Sequence, residues 1–516
     1  MFAKIFGAAT AGIDGILIEV EADIANGLPA FDIVGLPDAA VKESKERVRT
    51  AIKNSGIKLP PKKITINLAP ADLKKDGCGL DLPIAVSILA AYGLLPQKRC
   101  GKAMFAGELS LEGHLRSIRG ILPIAIQCRR QEIRELFIPE GNEQEALLVD
   151  GLEVYSITSL AELIDFFNER KKLYPALKET EAIKENKADN IAEDDFSDVQ
   201  GQYTAKRALE IAAAGGHNVL MCGAPGTGKT MLARRMPSIL PSMTKQEALE
   251  ITKIYSIAGL MKAGGGLIDS RPFRSPHHTI SNAGMIGGGS IPKPGEVTLS
   301  HNGVLFLDEL PEFNKITLEV LRQPLEDGQI SIVRVNGAYT YPSNFILVAG
   351  MNPCPCGFLN DKSRACTCTP NEIKRYTKKI SGPLLDRIDI HIQVPRLDYK
   401  EMITSEKTEN SACIRRRVEK ARNIQTKRLS AYAIHCNAQM NHALIKKFCH
   451  LTDAAQNMLG LIFEQLKLSA RSYDRIIKVS RTIADLDNAP AITEKHIAEA
   501  VQFKSNTDIH EMENIV

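Results

Sequence analysis

The sequence contains a loop whose residue types suit the binding of a nucleoside triphosphate. The letters GAPGTGKT fit the pattern GxxxxGK[ST], between an apolar run at 218–222 and a helical pattern at 231–236. In such a strand, loop and helix, backbone N–H groups converge on phosphate oxygens, the lysine reaches the β and γ phosphates, and the threonine hydroxyl binds Mg²⁺. The residues predicted to do so are Gly223, Ala224, Pro225, Gly226, Thr227, Gly228, Lys229 and Thr230.

Two carboxylates further along the chain fit the same chemistry. Asp308 and Glu309 directly follow the apolar run VLFL at 304–307, which is typical of a buried strand. Polar residues that follow parallel strands lie at the sheet edge where phosphate loops also lie. We predict that Asp308 holds Mg²⁺ through water and that Glu309 orients or deprotonates the attacking water.

Two other polar residues suit a nucleoside triphosphatase that works as a ring. Asn352 follows a second apolar strand at 345–349, and we predict that its side chain points towards the γ phosphate. Arg387 stands between apolar residues in LLDRIDI, where it could reach the nucleotide of a neighbouring subunit. From spacing alone, a surface ion pair of Arg387 with Asp386 or Asp389 is the more common arrangement.

Four cysteines that follow Asn352 have the composition of a metal site. They are Cys354, Cys356, Cys366 and Cys368. Four thiolates can close a tetrahedral Zn²⁺ site, although each pair here is closer than the usual two to four intervening residues. We predict a structural Zn²⁺ site; four free thiols in a loop are the alternative.

Periodicity and composition divide the chain into regions that would position these residues. Its 516 residues are enough for about three domains. Mixed alternating and helical patterns predict an α/β domain over 1–170, and a charged segment predicts a linker over 171–195. Strands that alternate with helices predict a largely parallel sheet over 196–395, and helical patterns predict a helical domain over 396–516.

Composition narrows the class of protein. The chain is 44% apolar and 24% charged, as globular proteins are, and its net charge of +4 permits a polyanionic partner without requiring one. The absence of Trp argues against a row of aromatic side chains that stacks single-stranded bases. Eleven cysteines without a cleavable leader predict a reducing, cytoplasmic location, and no apolar run is long enough to predict a membrane span.

Taken in order, the motifs resemble those of AAA+ ATPases. VLFLDEL resembles Walker B, GMNP resembles sensor 1 and LLDRIDI resembles the arginine-finger motif, while VQGQ at 199–202 resembles the adenine box. Ser469-Ala-Arg471 resembles sensor 2. The resemblance implies an AAA+ P-loop NTPase core with a helical lid domain, and ATP with Mg²⁺ as its ligands. It also implies that Arg387 acts on the neighbour's nucleotide and that Arg471 reports nucleotide state to the lid.

Two further segments narrow the resemblance. Residues 274–290 resemble the helix-2 insert of the magnesium chelatase and MCM helicase clade, and residues 325–341 resemble its pre-sensor-1 hairpin. Nearly the whole chain is similar to the magnesium chelatase-like proteins of the ComM/YifB family. The resemblance implies a hexameric, ATP-driven branch-migration helicase. Its partners would be single-stranded and branched DNA and recombination proteins, and its role the integration of single strands during natural transformation and homologous recombination.

In the related helicases the insert and the hairpin line the pore, so we expect these segments to contact DNA. Gly287 and its neighbours could approach a strand closely, and Lys293 and Arg334 could offer charge to phosphates. The alternative is that the glycines only form a flexible loop. We expect His277 and His278 to pack or hydrogen-bond rather than to bind metal. The basic helical pattern from Arg415 to Arg428 is expected to be a solvated surface.

The first domain resembles the Lon protease-type domain of the ribosomal S5 domain 2-like fold. Cys78 stands where Lon carries its nucleophilic serine, and Leu122 or a neighbour stands where its catalytic lysine follows. Without a base, a lone cysteine is a weak nucleophile, so we predict no peptidase activity. An ATP-dependent protease is therefore the least favoured function. A magnesium-chelatase-type motor subunit that acts on a protein or metal-insertion partner remains an alternative to the DNA motor.

Overall fold

The computed structural model describes most of the chain. The described residues are 1–72, 74–75, 77–178, 194–261, 265–289, 293–334, 337–359, 361, 364–396, 408–466 and 468–505. Of the predicted linker over 171–195, residues 179–193 lie outside these ranges. No helix within them is long and apolar enough to cross a membrane.

A mixed seven-stranded sheet forms the centre of the N-terminal region, residues 1–178. Its strand order is β3-β4-β2-β1-β5-β8-β9, and two short strands, β6 and β7, pair separately. The strands are β1 (Phe2–Ala11), β2 (Asp14–Ala25), β3 (Ala30–Val34), β4 (Lys63–Ala69), β5 (Ala103–Phe105), β6 (Glu108–Leu109), β7 (Leu115–Arg116), β8 (Glu135–Pro139) and β9 (Glu153–Ile157). Buried residues alternate with less buried ones along β2, as expected when one face of a sheet is packed and the other is wetter.

Helices pack against both faces of this sheet and form a separate apolar cluster on each. They are α1 (Ala39–Asn54), α2 (Asp81–Ala91), α3 (Gln97–Cys100), α4 (Ile121–Arg130), α5 (Glu143–Ala146) and α6 (Leu160–Phe167), with a 3₁₀ helix at Cys78–Leu80. α1 starts at Asp38, whose carboxylate accepts a 2.7 Å hydrogen bond from the N–H of Val41. Every residue of α2 is buried, and all of them except Asp81 and Ser87 are apolar.

A parallel five-stranded sheet forms the centre of the next region, residues 194–396. Its order is β11-β14-β17-β10-β18. The strands are β10 (Val219–Cys222), β11 (Phe273–Arg274), β14 (Val304–Leu307), β17 (Ile346–Met351) and β18 (Ile390–Gln393). All residues of β10, β14 and β17 are buried, because a parallel sheet is covered on both faces. The predicted parallel sheet is therefore confirmed.

The connections between these strands carry helices and two hairpins. The helices are α7 (Tyr203–Gly215), α8 (Lys229–Ile239), α9 (Lys245–Ala258), α10 (Asn282–Ile286), α11 (Glu296–Leu299), α12 (Lys315–Glu319), α13 (Arg322–Asp327), α14 (Pro370–Thr377) and α15 (Gly382–Leu385), with 3₁₀ helices at Phe196–Asp198 and Leu310–Glu312. β12 (Gly287–Gly288), near the end of the segment predicted as an insert, pairs with β13 (Lys293–Pro294) just beyond that segment. β15 (Gln329–Arg334) and β16 (Gly337–Pro342) form the hairpin that precedes β17.

Five helices make up most of the C-terminal region, residues 408–505, within the segment predicted to be helical. They are α16 (Ser411–Leu429), α17 (His442–Phe448), α18 (Asp453–Gln465), α19 (Ala470–Leu486) and α20 (Glu494–Ser505), with 3₁₀ helices at Ser430–Tyr432 and Asn437–Gln439. Their apolar faces share one core with α7, α8 and the parallel sheet.

The expectation that the basic pattern of α16 is a solvated surface holds only in part: Arg416, Lys420 and Lys427 are exposed, but other arginines have partners within the subunit. Arg415 Nε donates to the carbonyl of Ser238 at 2.8 Å, and Arg417 pairs with Glu210 of α7 at 2.5 Å. Arg428 pairs with the buried Asp485 of α19. These arginines hold α16 against its neighbours, so their charges are largely used inside the subunit.

The N-terminal region contacts the central region through the turn between β1 and β2 and through the end of α9. Asp14 Oδ1 lies 2.7 Å from Lys253 Nζ, and Ile13 packs against the core cluster that contains Ile332 of β15. The buried carboxylate of Glu145 accepts hydrogen bonds from the hydroxyl of Ser256 and from the N–H of Leu122. Two of these contacts thus join the N-terminal region to α9, and Ile13 joins it to the core cluster that includes residues of β15.

Candidate nucleotide-binding and metal sites

The phosphate loop follows β10 and leads directly into α8. Gly226 and Gly228 have φ angles of 78° and 91°, which L side chains rarely adopt. A Cβ at Gly223 would lie 2.5 Å from the carbonyl oxygen of Val394. The loop therefore needs glycine at these positions for reasons of backbone geometry, and its end is the N-terminus of α8.

Lys229 joins the phosphate loop to the neighbouring strand β17. Its Nζ donates to the carbonyl oxygens of Gly223 and Ala224, at 2.6 and 3.1 Å, and lies 3.2 Å from Oδ1 of Asn352. Burial lowers the pKa of Lys229, and the nearby carboxylate of Asp308 opposes that shift. The predicted partners Lys229 and Asn352 therefore lie together.

The two predicted Mg²⁺ residues also lie together. The hydroxyl of Thr230 donates a 2.7 Å hydrogen bond to Oδ2 of Asp308. A Cβ on Gly350, in the adjacent strand, would lie 2.8 Å from Oδ1 of Asp308. A hydroxyl and a carboxylate at the start of a phosphate-binding helix are oxygen ligands of the kind that Mg²⁺ prefers, so the residues present fit that ion.

Glu309 lies beside these residues but faces outwards. Its φ of 52° places it in the left-handed region, and its N–H donates to Oδ1 of Asp308 at 3.0 Å. Its side chain is 57% exposed, and one carboxylate oxygen lies 3.9 Å from Nδ1 of His278. A carboxylate next to the Mg²⁺ residues and open to solvent has the position that a base acting on water requires.

Gln202, in the predicted adenine-binding segment, lies under the phosphate loop. Its Nε2 donates to the carbonyl of Pro395 at 2.7 Å and lies 3.5 Å from the carbonyl of Thr227. Its buried Oε1 has no hydrogen-bond partner among the described residues. The segment is therefore in contact with the loop that it is predicted to serve.

Arg387 lies at the amino-terminal ends of the strands of the same sheet, whereas the phosphate loop lies at their carboxyl ends. Arg387 precedes Ile390, which is the partner of Val219 at the start of β10, whereas the phosphate loop follows Cys222 at the end of β10. The side chain of Arg387 is 8% exposed, pairs with Glu326, and donates to the carbonyl of Pro383 at 2.6 Å. The alternative of a surface ion pair with Asp386 or Asp389 was wrong about both burial and partner.

Like Arg387, Arg471 acts on the charge of Glu326, and no contact among the described residues joins it to the phosphate loop. It is exposed in the first turn of α19, after the N-cap residue Ser469. The hydrogen bond from Arg387 lowers the pKa of Glu326, and the charges of Arg387 and Arg471 add to that effect. Glu326 is thus paired with Arg387 and also feels the charge of Arg471.

The four cysteines come together as predicted, with all four Sγ atoms within 4.8 Å of one another. The distances among Cys354, Cys356 and Cys366 are 3.3, 3.6 and 3.6 Å. Ligands about 2.3 Å from a tetrahedral Zn²⁺ would be about 3.8 Å apart, so the cluster needs little adjustment to hold one.

Backbone N–H groups surround the sulfurs of this cluster. The N–H of Cys356 lies 3.3 Å from Sγ of Cys368, and hydrogen bonds from the backbone of Phe358 and Thr367 lower the pKa of Cys356. Such donors stabilise thiolates, which are the form that binds metal. The chemistry of the donor set therefore fits a Zn²⁺ ion.

The segments expected to contact DNA are described in part. Gly287 lies in β12, where a Cβ would come 2.3 Å from the carbonyl oxygen of Lys293, so its backbone packs closely against β13. Lys293 is exposed, whereas the side chain of Arg334 lies outside the described part of the chain. His277 Nδ1 lies 2.9 Å from the hydroxyl of Thr279.

The predicted protease-like positions give little information. Leu122 is fully buried in α4, and the side chain of Cys78 lies outside the described part of the chain. The absence of peptidase activity therefore stays a prediction.

Sequence reasoning missed three residues that shape the site. Glu326 holds Arg387, Gly350 makes room for Asp308, and Tyr376 contacts the backbone of Asn352. Gly350 was visible as the residue after the apolar strand, but the partners of the other two are distant in sequence. No local pattern could have paired them.

Three family models match the chain. "Magnesium chelatase, subunit ChlI" matches residues 195–402, "Subunit ChlI of Mg-chelatase" matches 20–142, and "Magnesium chelatase, subunit ChlI C-terminal" matches 408–504. The chain is also 44% identical over 506 residues to Competence protein ComM of Haemophilus influenzae, covering 98% of this chain and 97% of ComM. The chain belongs to the magnesium chelatase-like family of ComM and YifB. YifB of Escherichia coli is 42% identical over 501 residues, which are 96% of each chain.

Membership of this family gives the central region a magnesium-chelatase-type AAA+ domain with an ATPase-like site. A partial similarity extends to a different family. Lon protease 2 of Bacillus subtilis is 30% identical over 222 residues, which cover 40% of this chain and 39% of that protein.

Proposed function

We propose that this protein is an ATP-hydrolysing motor that moves DNA strands. The observation that carries the ATPase part is the convergence of Lys229 with Asn352 and of Thr230 with Asp308, at the carboxyl edge of one parallel sheet. Each pair joins a residue of α8 to a residue that follows a different strand, β17 or β14, and binding of a Mg²⁺-bound triphosphate uses all four. ATP and Mg²⁺ are the ligands that these residues would hold.

Each residue has a distinct task in hydrolysis. Lys229 neutralises the β and γ phosphates, while Thr230 and Asp308 hold Mg²⁺, which supplies positive charge to the phosphate oxygens. Glu309 accepts the proton of the attacking water, and Asn352 orients that water. Gly223 to Gly228 contribute backbone N–H groups to the phosphates.

The position of Arg387 supports assembly into a ring. Arg387 lies at the amino-terminal ends of the strands, away from the phosphate loop of its own subunit. We therefore infer that it serves the nucleotide of a neighbouring copy. Its guanidinium is paired with the half-exposed Glu326, which a neighbour's phosphate would replace in this proposal. Arg471, on the same side, joins it as a reporter of nucleotide state. We propose a hexamer, the closed form that the family resemblance implies.

The proposal that the motor acts on DNA rests on the similarity of this chain to members of its family. ComM carries the name of a competence protein, and it matches this chain from end to end. The β12–β13 and β15–β16 hairpins are proposed to contact single-stranded and branched DNA in the pore. Branch migration during natural transformation and homologous recombination, together with recombination proteins, is the proposed role.

The remaining regions have supporting tasks in this proposal. Residues 1–170 form a proteolytically inactive Lon-type domain of the ribosomal S5 domain 2-like fold, 171–195 a linker, 196–395 the AAA+ core and 396–516 the helical lid. The four-cysteine loop holds a structural Zn²⁺. The similarity to Lon protease 2 and the thiol distances support these assignments.

A chelatase-type motor is the second candidate. It is favoured by the descriptions of the matching family models, all of which name a magnesium chelatase subunit. Such a motor would drive a protein or metal-insertion partner, and DNA would not affect its ATP turnover.

One set of measurements tests the ATPase and separates the two candidates. Glu309→Gln is expected to bind ATP as the wild type does and to lose turnover, since the amide cannot accept a proton. Glu312→Gln, a nearby exposed carboxylate, serves as the control. Wild-type turnover should rise with single-stranded or forked DNA, and the protein should move a labelled Holliday junction. ATP hydrolysis that is indifferent to DNA would favour the chelatase-type motor, and normal turnover by Glu309→Gln would refute the assigned base.

A further inference from the structure

The four-cysteine loop begins at the nucleotide site itself. β17 ends at Met351, Asn352 follows it, and Cys354 comes two residues later. The side chain of Asn352 contacts Lys229 of the phosphate-binding helix. Whatever fixes the position of Cys354 therefore also restricts where the amide of Asn352 can lie.

Gly357 brings the same loop onto the phosphate loop. Its φ is +85°, and a Cβ there would lie 2.6 Å from Cδ of Pro225 and 3.9 Å from Cγ of Asn352. The cysteine loop and the phosphate loop thus pack backbone against ring with no space for a side chain. A shift of one loop must displace the other.

The far end of the cysteine loop is anchored at the same place. α14 begins just after Cys368, where the hydroxyl of Thr369 caps the helix by accepting from the N–H of Glu372. Tyr376 of α14 is buried, and its hydroxyl is hydrogen-bonded to the backbone of Asn352. The two ends of the loop therefore meet at Asn352. Among the described residues between them, the four sulfurs and the contact of Arg364 with the ring of Phe358, at 4.7 Å, hold the loop together.

We propose that a Zn²⁺-type ion in the four-cysteine loop acts as a positioning device for Asn352 and the phosphate loop, so that metal occupancy sets the rate of ATP turnover. The inference rests on the proposed ATPase function and adds a control to it. The cysteines touch neither nucleotide nor water; they act through Asn352 and Pro225. Loss of the metal would leave ATP binding largely intact, because Lys229 and the backbone N–H groups remain, but would misplace the amide.

The test uses the full-length protein with Cys366→Ser and Cys368→Ser combined, since these ligands follow the segment that touches the phosphate loop. Metal content is measured by mass spectrometry, and Co²⁺ absorption reports tetrahedral thiolate ligation. The variant should lose the metal and keep its affinity for a fluorescent ATP analogue within about threefold. Its turnover should fall about 10- to 100-fold, the usual effect of a misplaced catalytic group.

Hydrogen exchange gives a readout that does not depend on activity. Amides of 223–228 and 352–357 should exchange faster in the metal-free variant, whereas those of the N-terminal sheet should not change. Gly382→Ala, at a glycine with nothing within 4 Å of a Cβ, is the control for a neutral substitution near the loop.

Two results would overturn the proposal. One is wild-type protein that carries well under one metal per chain, and the other is a metal-free variant that hydrolyses ATP at the wild-type rate. Failure of the proposed ATPase looks different: metal-loaded wild-type protein would then show the Co²⁺ spectrum but no hydrolysis at all.

Discussion

Arg387 and Glu326 form an ion pair between the segment that precedes β18 and the end of α13, at the sheet edge away from the phosphate loop. The arginine side chain is 8% exposed and the glutamate 49%, so solvent reaches the pair from the glutamate side. Arg471 contributes charge on the same carboxylate. In an isolated subunit Glu326 thus occupies Arg387, the arginine that would bind a neighbour's phosphate if the proposed ring forms.

This arrangement predicts that Arg387 acts on the adjacent subunit. Arg387→Ala should bind ATP normally and lose about 10³-fold in turnover, the lower range for an arginine finger. Lys229→Ala should be inactive because it cannot bind ATP productively. Equal mixing of the two variants should recover activity at about a quarter of the sites, where an intact Lys229 meets a neighbour's intact Arg387.

Subunit exchange before the assay is verified by native mass spectrometry. Arg416→Ala, at an exposed arginine of α16, should retain full activity. A mixture as inactive as its components, despite mixed assemblies, would place Arg387 in its own subunit's reaction.

The close approach of Gly350 to Asp308 predicts that a side chain at Gly350 would weaken Mg²⁺ binding. In Gly350→Ala the new Cβ would meet Oδ1 of Asp308 at 2.8 Å, which is too close for two atoms that do not bond. Asp308 must then move away from Thr230. We expect the Mg²⁺ concentration for half-maximal turnover to rise about tenfold, in line with the loss of a group that orients a metal ligand. Gly460→Ala, where a Cβ meets nothing within 4 Å, should leave it unchanged. An unaltered Mg²⁺ requirement in Gly350→Ala would contradict the assignment of Asp308.

Much of the site could be predicted because each part is local in sequence. The phosphate loop, the carboxylates after β14 and the amide after β17 are each marked by an apolar run that ends in polar residues. The parallel arrangement then brings these strand ends to one edge, which is a property of the fold class rather than of any single residue.

What could not be predicted depends on contacts between distant segments. Arg387 pairs with Glu326 and not with the nearby Asp386 or Asp389. Asp389 is already held by His217 and Arg475. The arginines of α16 look like a solvated face in the sequence, yet they bind partners on α7 and α19. In both cases contacts with residues that are distant in sequence determine what a charged side chain does.

The burial of His391 predicts that the folded protein loses stability in acid. It lies in β18, 5% exposed, and burial lowers its pKa from 6.5 to about 3. Because the unfolded chain takes up a proton below pH 6.5 and the folded chain does not, His391 destabilises the fold progressively as pH falls towards about 3. The slope is at most about 1.4 kcal/mol per pH unit.

The measurement compares urea unfolding of wild type and His391→Leu by circular dichroism across this range. The midpoint of the wild type should fall more steeply with acid than that of the variant, whereas above pH 6.5 the two pH dependences should be parallel. Equal slopes in acid would show that His391 is accessible to protons in the fold.

The turn between β1 and β2 predicts that the N-terminal region supports the β15–β16 hairpin. A Cβ on Gly12 would lie 3.8 Å from both Tyr339 Cδ1 and the carbonyl oxygen of Thr340, and Ile13 packs into the core cluster beneath that hairpin. Ile13→Asp places a charge in this apolar contact, which should release the hairpin without disturbing the phosphate loop.

Basal ATP turnover of Ile13→Asp should stay within about twofold of wild type, and its stimulation by single-stranded DNA should be largely lost, because the hydrogen bonds that hold Lys229, Asn352 and Asp308 do not involve Ile13. Hydrogen exchange of 337–342 should become faster. Leu28→Asp, on the same domain at a side chain that is already 89% exposed, should behave as wild type. If Ile13→Asp kept full DNA stimulation while its hairpin amides exchanged faster, the hairpin would not be the element through which DNA acts on the motor.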